Sequence, residues 1–370
     1  MQCSLKGMLL QENKPLAPYT TFGIGGPARW FVEATSEEGI VDSASWAGDN
    51  HVPLFVLGGG SNLLVSDEGF HGLALHIALR GIERAPADSG QTLYRCAAGE
   101  LWDDVVSLAV ANNDAGIECL AGIPGTAGGT PVQNVGAYGQ EVASTINRVR
   151  AFDLQTQTYI ELDNADCGFA YRHSRFNTAD RGRFNTADRG RFIVTRVDYY
   201  LRHGGAPTLH YADLQRTFPA DAQPTLAEVA EKVRRIRQSK GMLLVEGDPD
   251  CRSAGSFFKN PIVSLAQFAH IGSVAGKEPP HFPANMVSEL PLRIKIPAAW
   301  LIEQAGFAKG FARGNAAISS RHTLALINRS GATAREILDL SGAIASAVNS
   351  RFGVQLEMEP VLLGFNEAPL

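Results

Sequence analysis

AGIPGTAGGTPVQNVGAYG, residues 121–139, holds six glycines and no charged residue. A flexible linker would contain more serine and charge, and less isoleucine, valine and tyrosine. Glycine has no Cβ, so a backbone rich in it can approach a neighbouring surface closely. We therefore expect this segment to lie against something flat or extended, such as a large cofactor.

A second glycine-rich stretch, LGGGSN at residues 57–62, directly follows the apolar run PLFVLG, which is typical of a strand. Three glycines allow successive backbone N–H groups to point at one phosphate, and Ser61 and Asn62 add side-chain donors. A plain tight turn is the alternative, because glycine-rich turns are common. One large cofactor would explain both glycine-rich stretches.

A third stretch, TFGIGGPA at residues 21–28, matches the dinucleotide-binding pattern G-x-G-x-x-A. That pattern requires a strand before it and a helix after it. Here a proline-containing segment precedes it, Pro27 interrupts it and a β-branched, aromatic run follows it. We reject a dinucleotide site at this position.

Composition limits the protein's class. The 370 residues carry 33 basic and 38 acidic side chains, a net charge of −5, with 45% hydrophobic residues and 19% charged residues. These values indicate a globular chain without the basic surface of a nucleic-acid binder. The five scattered cysteines form no C-x-x-C pair, which favours neither a disulfide framework nor a metal site. We expect a cytoplasmic monomer without a signal peptide or membrane insertion.

The apolar periodicity predicts an α+β protein. Capping signals place helices at 36–50, 225–240 and 333–353, the last two with the boxes Thr225/Glu228 and Thr333/Glu336. A hairpin is expected at 147–163 and a final strand at 354–363. Further helices are predicted at 101–114 and 298–306, and strands at 28–35, 53–58, 92–100 and 192–202.

Eight motifs in order give the chain a resemblance: TFGIGGPA, LGGGSNLL, AGIPGTAGGTPVQNVGAYG, CGFAYRHS, YADL, SAGSFFKNP, AAWLIEQAG and LEMEP. Together they resemble the UDP-N-acetylenolpyruvoylglucosamine reductases. The resemblance implies an α+β fold, in which an FAD-binding domain of the vanillyl-alcohol-oxidase type precedes a C-terminal α/β substrate-binding domain. It implies FAD-binding subdomains at 1–80 and 81–239, with the tail 363–370 returning to the first, and a substrate-binding domain at 240–362.

The resemblance also implies which residues hold FAD. The pyrophosphate group would be bound by Gly58, Gly59, Gly60, Ser61 and Asn62. The residues along the flavin would be Ala121, Gly122, Ile123, Pro124, Gly125, Thr126, Gly128, Gly129, Asn134, Gly136, Ala137 and Tyr138. No metal is implied.

In this family NADPH reduces FAD, and the enolpyruvyl group of UDP-N-acetylglucosamine enolpyruvate then accepts hydride. By resemblance, Arg172 clamps the carboxylate of that group, Ser256 donates a proton to the developing carbanion and Glu359 is the active-site acid. Taken alone, the three would read as a surface charge, a turn serine and the solvated face of an edge strand. Glu357 shares that face of the strand with Glu359 and is expected to point to solvent.

The nucleotide half of the substrate has its own expected contacts, all implied by resemblance. They are Tyr171, Tyr211, Lys240, Asn260 and Lys309. A lysine ammonium pairs with phosphate without demanding planar geometry, and a tyrosine on a loop can close over a ligand. Phe282 stands where many members of the family have tyrosine, so a phenolic contact there is in doubt.

Two other functions are consistent with the glycine-rich stretches. One is a flavin-dependent oxidase or dehydrogenase of a small alcohol or hydroxy acid. The other is a non-catalytic regulator that keeps FAD as a structural ligand. Neither explains why Arg172, Ser256 and Glu359 occur together.

The octet RFNTADRG occurs twice in succession, at 175–182 and 183–190. Two octets do not make a solenoid repeat, and the segment is too polar to form a core. Because closure entropy grows only logarithmically with loop length, an extra octet costs about 1 kcal/mol. We expect a tandem duplication extruded as a loop, whose second copy the protein does not need.

Overall fold

A computed structural model describes residues 3–5, 8–178, 188–219, 221–283 and 293–365. In chain order the strands are β1 (Cys3–Leu5), β2 (Met8–Pro15), β3 (Pro27–Ala34), β4 (Leu54–Leu57), β5 (Leu63–Val65), β6 (Phe70–Ile77), β7 (Ile82–Pro86), β8 (Gln91–Ala97), β9 (Asp114–Ala115), β10 (Gly136–Ala137), β11 (Gln140–Glu141), β12 (Ile146–Asp153), β13 (Thr158–Asp163), β14 (Phe192–His203), β15 (Ile262–Ser264), β16 (Phe282–Pro283), β17 (Arg293–Lys295), β18 (Ala312–Arg313), β19 (Ala316–Ile318), β20 (Leu326–Asn328) and β21 (Val361–Leu363). The α-helices are α1 (Glu37–Asp49), α2 (Trp102–Ala111), α3 (Ala212–Gln215), α4 (Leu226–Ser239), α5 (Leu265–Ala275), α6 (Ala298–Gln304) and α7 (Ala334–Phe352). This mixture confirms the predicted α+β class.

The chain folds into two compact units. The first unit contains Met1–Lys14, Ala28–Gly60 and Phe70–Gln238, and the second contains Pro15–Pro27, Ser61–Gly69 and Ser239–Leu370. The three-part division with boundaries after residues 80 and 239 stays a prediction. Residues 366–370 of the expected returning tail lie outside the described residues.

Besides a two-stranded sheet of β10 with β11, the described part of the first unit contains two larger sheets. One has the strand order β1-β2-β3-β6-β4, in which β3 and β4 both pair with β6 in parallel. The other has the order β13-β12-β14-β8-β7, with β9 also paired to β14. The pairing of β12 with β13 is antiparallel, which confirms the predicted hairpin.

The helix ends follow the capping signals in the sequence. The Ser36 side chain accepts the Gly39 N–H at the start of α1, and Thr225 with Glu228 forms a reciprocal cap before α4. Thr333 and Glu336 form the predicted box at α7, which ends at Gly353 with φ of 65°. At that angle glycine avoids the Cβ clash that other residues meet.

The octet segment is more ordered at its ends than its polar sequence suggested. Phe176 of the first copy is buried and packs edge-to-face on Phe192. Asp188 of the second copy is also buried and accepts bonds from Arg175 and Arg191, with N–O distances of 2.6 and 3.1 Å. The description as too polar to form a core is therefore wrong at these two positions. Residues 179–187 lie outside the described residues.

The second unit holds three small sheets and the helices α5, α6 and α7. The sheets are β15-β17-β16, β18-β19-β20 and a parallel pair of β21 with β5. Its core forms around α7, which buries Ile337, Leu340, Ile344, Val348 and Phe352 on one face. The periodicity of that face is the one the sequence predicted.

Two expectations for the second unit need correction. The predicted strand 354–363 forms a regular strand only at β21. Among the described residues, the part 354–360 makes a single isolated β-bridge, between Met358 and Phe258. The alternation itself is correct, since Val354 and Leu356 are buried. Helix α5 was not predicted, although Ser264 and Gln267 form a capping box at its start.

The TFGIGGPA stretch leads into strand β3, which confirms that a strand follows it rather than the helix that the dinucleotide-binding pattern requires. A Cβ at Gly25 would lie 2.8 Å from Cβ of Val65, which explains a glycine here without any ligand. Cys96, Cys119, Cys167 and Cys251 are buried and form no disulfide. Within the described residues, no helix is long and apolar enough to cross a membrane, and no cluster of potential metal ligands occurs.

Candidate functional site

The two glycine-rich stretches interlock in the first unit. A Cβ at Gly59 would lie 2.6 Å from the Cα of Gly125, and one at Gly58 would lie 3.1 Å from Oγ1 of Thr126. Gly60 adopts φ of 59°, a conformation that favours glycine. Only residues without a side chain allow the two backbones to come this close. The glycines are therefore required by packing between the stretches as well as by any ligand.

The segment 121–138 is fixed to the protein at several backbone atoms. Asp103 accepts the Gly122 N–H at 2.7 Å, and the Trp102 N–H donates to the Gly125 carbonyl at 3.1 Å. The Gly128 N–H donates to the Ala98 carbonyl at 2.9 Å. These bonds confirm that the segment is not a flexible linker. They leave it as a fixed backbone surface of the kind that a flat cofactor needs.

Arg237 is a residue of this region that sequence reasoning missed. Its guanidinium is buried, donates from Nε to the Gly122 carbonyl at 3.1 Å and hydrogen-bonds the Tyr138 hydroxyl. Burial lowers the pKa of Arg237, while Tyr138 and Asp103 act in the opposite direction. Its signal in the sequence is weak, because an arginine in a charged helix is normally solvated.

Three of the predicted site residues have left-handed backbone conformations. Asn134, Tyr138 and Arg172 have φ of 47°, 51° and 52°. For residues other than glycine this conformation costs about 1 to 2 kcal/mol. Such strain is retained where the surrounding structure holds the residue in place, often at functional positions.

Arg172 lies at the tip of a tight turn. Ala170 and His173 exchange two backbone hydrogen bonds, which leaves Tyr171 and Arg172 as the two central residues. Asn134 Nδ2 donates to the Ala170 carbonyl at 3.1 Å. Ser174 Oγ donates to the Val132 carbonyl at 2.7 Å, and so holds the other side of the turn. The turn that carries the predicted carboxylate clamp is thus bonded to the segment 121–138.

Tyr211 also reaches this segment. Its ring meets the Tyr138 ring edge-to-face, with centroids 5.3 Å apart. Tyr211 precedes the short helix α3 and is 39% exposed, and Tyr171 is 41% exposed. The first unit therefore brings together the glycine-rich stretches, Arg172 and both tyrosines predicted to meet the substrate.

In the second unit, Ser256 and Glu359 lie on adjacent chain segments that are joined by backbone hydrogen bonds. The Glu359 N–H donates to the Phe257 carbonyl at 2.9 Å, and the Lys259 N–H donates to the Glu357 carbonyl at 2.9 Å. Ser256 is partly exposed, follows Gly255 with φ of 72° and precedes two buried phenylalanines. Glu357 is exposed and pairs with Lys259, as expected for the solvent-facing carboxylate of the two.

Asn62 supports Glu359 in the second unit. Its Nδ2 donates to the Glu359 carbonyl at 3.1 Å, and its own carbonyl accepts the Val361 N–H at 3.0 Å. The Thr21 hydroxyl can donate a hydrogen bond to the carbonyl of the adjacent Ser61, at 3.4 Å, or to that of Ser253, at 2.6 Å. The expected phosphate contacts of Ser61 and Asn62 stay predictions, because the bonds that the structure gives Asn62 hold the chain beside Glu359.

The remaining predicted substrate residues also lie in the second unit. Asn260 Oδ1 accepts the Ala298 N–H at 2.9 Å at the start of α6, which fixes the orientation of the amide. Lys240 and Lys309 each precede a glycine with positive φ, Gly241 at 66° and Gly310 at 78°. Phe282 is half exposed on β16.

Two family models match separate parts of the chain. A model described as FAD binding domain matches residues 28–162, and it includes both glycine-rich stretches. A model described as UDP-N-acetylenolpyruvoylglucosamine reductase, C-terminal domain, matches residues 248–363. Fold and site thus define a flavoprotein, in which an FAD-binding domain is followed by a separate C-terminal domain.

Similar proteins identify the family. The UDP-N-acetylenolpyruvoylglucosamine reductase of Streptomyces coelicolor is 46% identical over 363 residues, covering 95% of this chain and 90% of the relative. That of Thermobifida fusca is 41% identical, covering 95% and 98%. The chain belongs to the UDP-N-acetylenolpyruvoylglucosamine reductase family. A solved structure of that reductase from Thermus caldophilus, 24% identical, has the same fold with a TM-score of 0.64 and covers 96% of this chain and 99% of its own.

Proposed function

We propose that this protein uses FAD and NADPH to reduce the enolpyruvyl ether of UDP-N-acetylglucosamine enolpyruvate to the lactyl ether of UDP-N-acetylmuramate, in peptidoglycan precursor synthesis. The observation that carries the proposal is the interlock of Gly58–Gly60 with Gly125 and Thr126, bonded onward to the turn of Arg172. Family membership supplies the reaction.

The residues fit FAD. Three glycines in succession and a fixed, uncharged backbone segment provide N–H groups and close approach for a pyrophosphate and a flat ring. Gly58 to Asn62 would hold the pyrophosphate, and the segment 121–138 would lie along the ring system. When bound, FAD supplies the two-electron chemistry between NADPH and the substrate.

The chain's own residues provide the polar part of the reaction. Hydride addition at the enolpyruvyl methylene carbon places negative charge on the neighbouring carbon and its carboxylate. The planar guanidinium of Arg172 suits that carboxylate, because it can donate two parallel hydrogen bonds. The fixed backbone conformation of the turn limits the directions in which the Arg172 side chain can extend from it, and this favours one orientation of the guanidinium.

Proton delivery is assigned to the second unit. Ser256 Oγ donates the proton to the carbanion carbon, and Glu359 hydrogen-bonds the enol-like form of the carboxylate. A serine hydroxyl is a weak acid and serves only when the acceptor is strongly basic and its proton is replaced from solvent. The partial exposure of Ser256 supports replacement of its proton from solvent, and its hydroxyl makes no hydrogen bond to any residue that the structure describes.

Binding of the substrate's nucleotide half is assigned to Tyr171, Tyr211, Lys240, Asn260 and Lys309. Asn260 supports this assignment, since its Oδ1 accepts the Ala298 N–H and its Nδ2 bonds to none of the residues that the structure describes. We further propose that the protein acts as a monomer in the cytoplasm, where NADPH and nucleotide-activated sugars are available.

Anaerobic spectroscopy of the purified protein tests the function. The protein is expected to be yellow, to lose its visible flavin absorbance with NADPH and to recover it when UDP-N-acetylglucosamine enolpyruvate is added. Bleaching by simple alcohols but not by NADPH would overturn the proposal in favour of an oxidase. Bound FAD that neither reagent reduces would indicate the regulator.

A further inference from the structure

His322 lies among the residues assigned to the nucleotide half of the substrate, although no role has been given to it. Three chain segments meet at the buried Ser319. The Gly310 N–H donates to the Ser319 carbonyl at 3.2 Å, and a Cβ at Gly241 would lie 3.2 Å from Ser319 Oγ. The His322 N–H faces the same Ser319 Oγ at 3.4 Å. The backbones next to Lys240 and Lys309 therefore converge on the turn that carries His322.

The tautomer of His322 is fixed by the backbone. Its Nδ1 accepts the Leu324 N–H at 3.1 Å, so that nitrogen carries no proton. The proton of the neutral ring is then on Nε2. Among the residues that the structure describes, none forms a hydrogen bond with Nε2. One N–H group of a fixed ring is thus left for a ligand.

The surroundings of the ring are positive. Burial, Lys240 and Lys309 lower the pKa of His322 to about 4, and Glu303 opposes them. The Glu303 carboxylate is engaged by the Thr323 hydroxyl. The nearby acids Asp248 and Asp250 are engaged by Arg321 and Ser320. The His322 ring therefore presents one neutral N–H donor in positive surroundings set by Lys240 and Lys309.

We propose that His322 Nε2–H donates a hydrogen bond to the diphosphate of the UDP-linked substrate, beside Lys240 and Lys309. This rests on the proposed function, because that function assigns the two lysines to the substrate. A neutral donor adds a hydrogen bond without adding a third positive charge. A third charge would repel the ammonium groups of the two lysines. Hydrogen bonds to charged groups stabilise more than neutral pairs.

Two isosteric substitutions separate the two nitrogens of the ring. His322→Asn keeps an oxygen near the Nδ1 position, where it can still accept the Leu324 N–H, but it removes the outer donor. His322→Gln can place an amide N–H near the Nε2 position. His270→Asn is the matched control, because His270 is an exposed histidine on α5 in the same unit.

The measurement is the ratio of the dissociation constants of uridine and UDP for the FAD-bound protein. We expect His322→Asn to lower this preference for UDP roughly ten- to hundredfold, the effect of one lost hydrogen bond to a charged group. His322→Gln should retain most of the preference, and His270→Asn all of it. Uridine affinity and FAD content should not change. In steady state, His322→Asn should raise KM for the UDP substrate with little change in kcat.

An unchanged preference in His322→Asn would overturn the proposal, as would equal losses in His322→Asn and His322→Gln. Lys309→Ala separates this failure from failure of the proposed function. If Lys309→Ala loses the preference for UDP while His322→Asn keeps it, only the role of His322 is wrong. If the unsubstituted protein shows no preference for UDP over uridine, the substrate assignment fails as well.

Discussion

Residues 121–138 and the octet segment 175–190 lie on either side of the Arg172 turn, and both stand out in the sequence by composition. The first is held by backbone hydrogen bonds and by glycine contacts too close for any side chain. The second is held at its two ends by Arg175, Asp188 and Arg191. The first region is therefore held along its length, whereas the described contacts of the second lie at its two ends.

This difference is consistent with our proposal that a repeated octet lies next to the residue assigned to the substrate carboxylate. The turn of Arg172 takes its position from Asn134 and Val132 on the glycine-rich side. Ser174 then accepts the Phe176 N–H, and the Phe176 side chain is buried. We therefore expect added length beyond this point to leave these contacts in place.

The largest expected effect comes from the turn itself. Arg172→Gly should lower kcat at least a thousandfold, because a charged, bidentate contact to the developing carboxylate is lost. The same change should not destabilise the protein, and relief of the positive φ should raise its stability by about 1 kcal/mol. Arg172→Ala should lose activity equally without that gain. Turnover and thermal unfolding are the measurements, and full activity in Arg172→Gly would refute the assigned role.

The second-largest effect is expected from a substitution at the contact between the two glycine-rich stretches. Gly59→Ala should destabilise the protein or its FAD complex by about 2 to 3 kcal/mol, because the new Cβ meets backbone that cannot move cheaply. The FAD content of purified protein and the dissociation constant for FAD measure this. Gly48→Ala is the control, since a Cβ there meets nothing within 4 Å and α1 should gain slightly. Normal FAD binding in Gly59→Ala would show that the interlock is dispensable.

The close backbone approach of the glycine-rich stretches and the starts of the capped helices could be predicted from the sequence, because their signals are local. Ser36, Thr225 and Thr333 specify helix starts through bonds to residues three positions away. The burial of Arg237 depends on Gly122, a partner distant in sequence, so this arginine of a charged helix looked solvated. The stretch 354–360 alternates like a strand, but alternation does not supply the neighbouring strand that a sheet requires.

A smaller effect is expected at Asp153, which anchors the end of the octet segment. Hydrogen bonding to Arg191 lowers the pKa of this carboxyl from its ordinary 3.8 to about 2. Its stabilising contribution is present above pH 3.8 and is lost as the pH falls through about 2. Between pH 6 and pH 3 the unsubstituted protein should therefore lose about 1 kcal/mol that Asp153→Asn does not lose, after allowance for solvent screening.

Urea denaturation at the two pH values measures this difference. Asp221→Asn, at an exposed aspartate of the first unit, is the control and should follow the unsubstituted protein. An equal loss in Asp153→Asn would show that the ion pair does not anchor the segment.

The smallest effect is expected from deleting residues 183–190. The shortened chain reads RFNTADRGRF once, so an aspartate remains at the same distance from β14 as Asp188. FAD content and turnover should stay nearly unchanged, and stability should rise by no more than about 1 kcal/mol through the shorter loop. A collapse of either FAD content or turnover would give the second copy a role.

We propose that the residues that bind the cofactor differ from those that protonate the substrate. The most direct test is to measure the two anaerobic half-reactions separately in Ser256→Ala. With FAD content at the unsubstituted level, NADPH should bleach the flavin at the normal rate. The return of colour on adding UDP-N-acetylglucosamine enolpyruvate should slow by more than about a hundredfold, because the proton donor is gone. Equal slowing of both half-reactions at full FAD content, or normal recovery of colour, would contradict the assignment of Ser256.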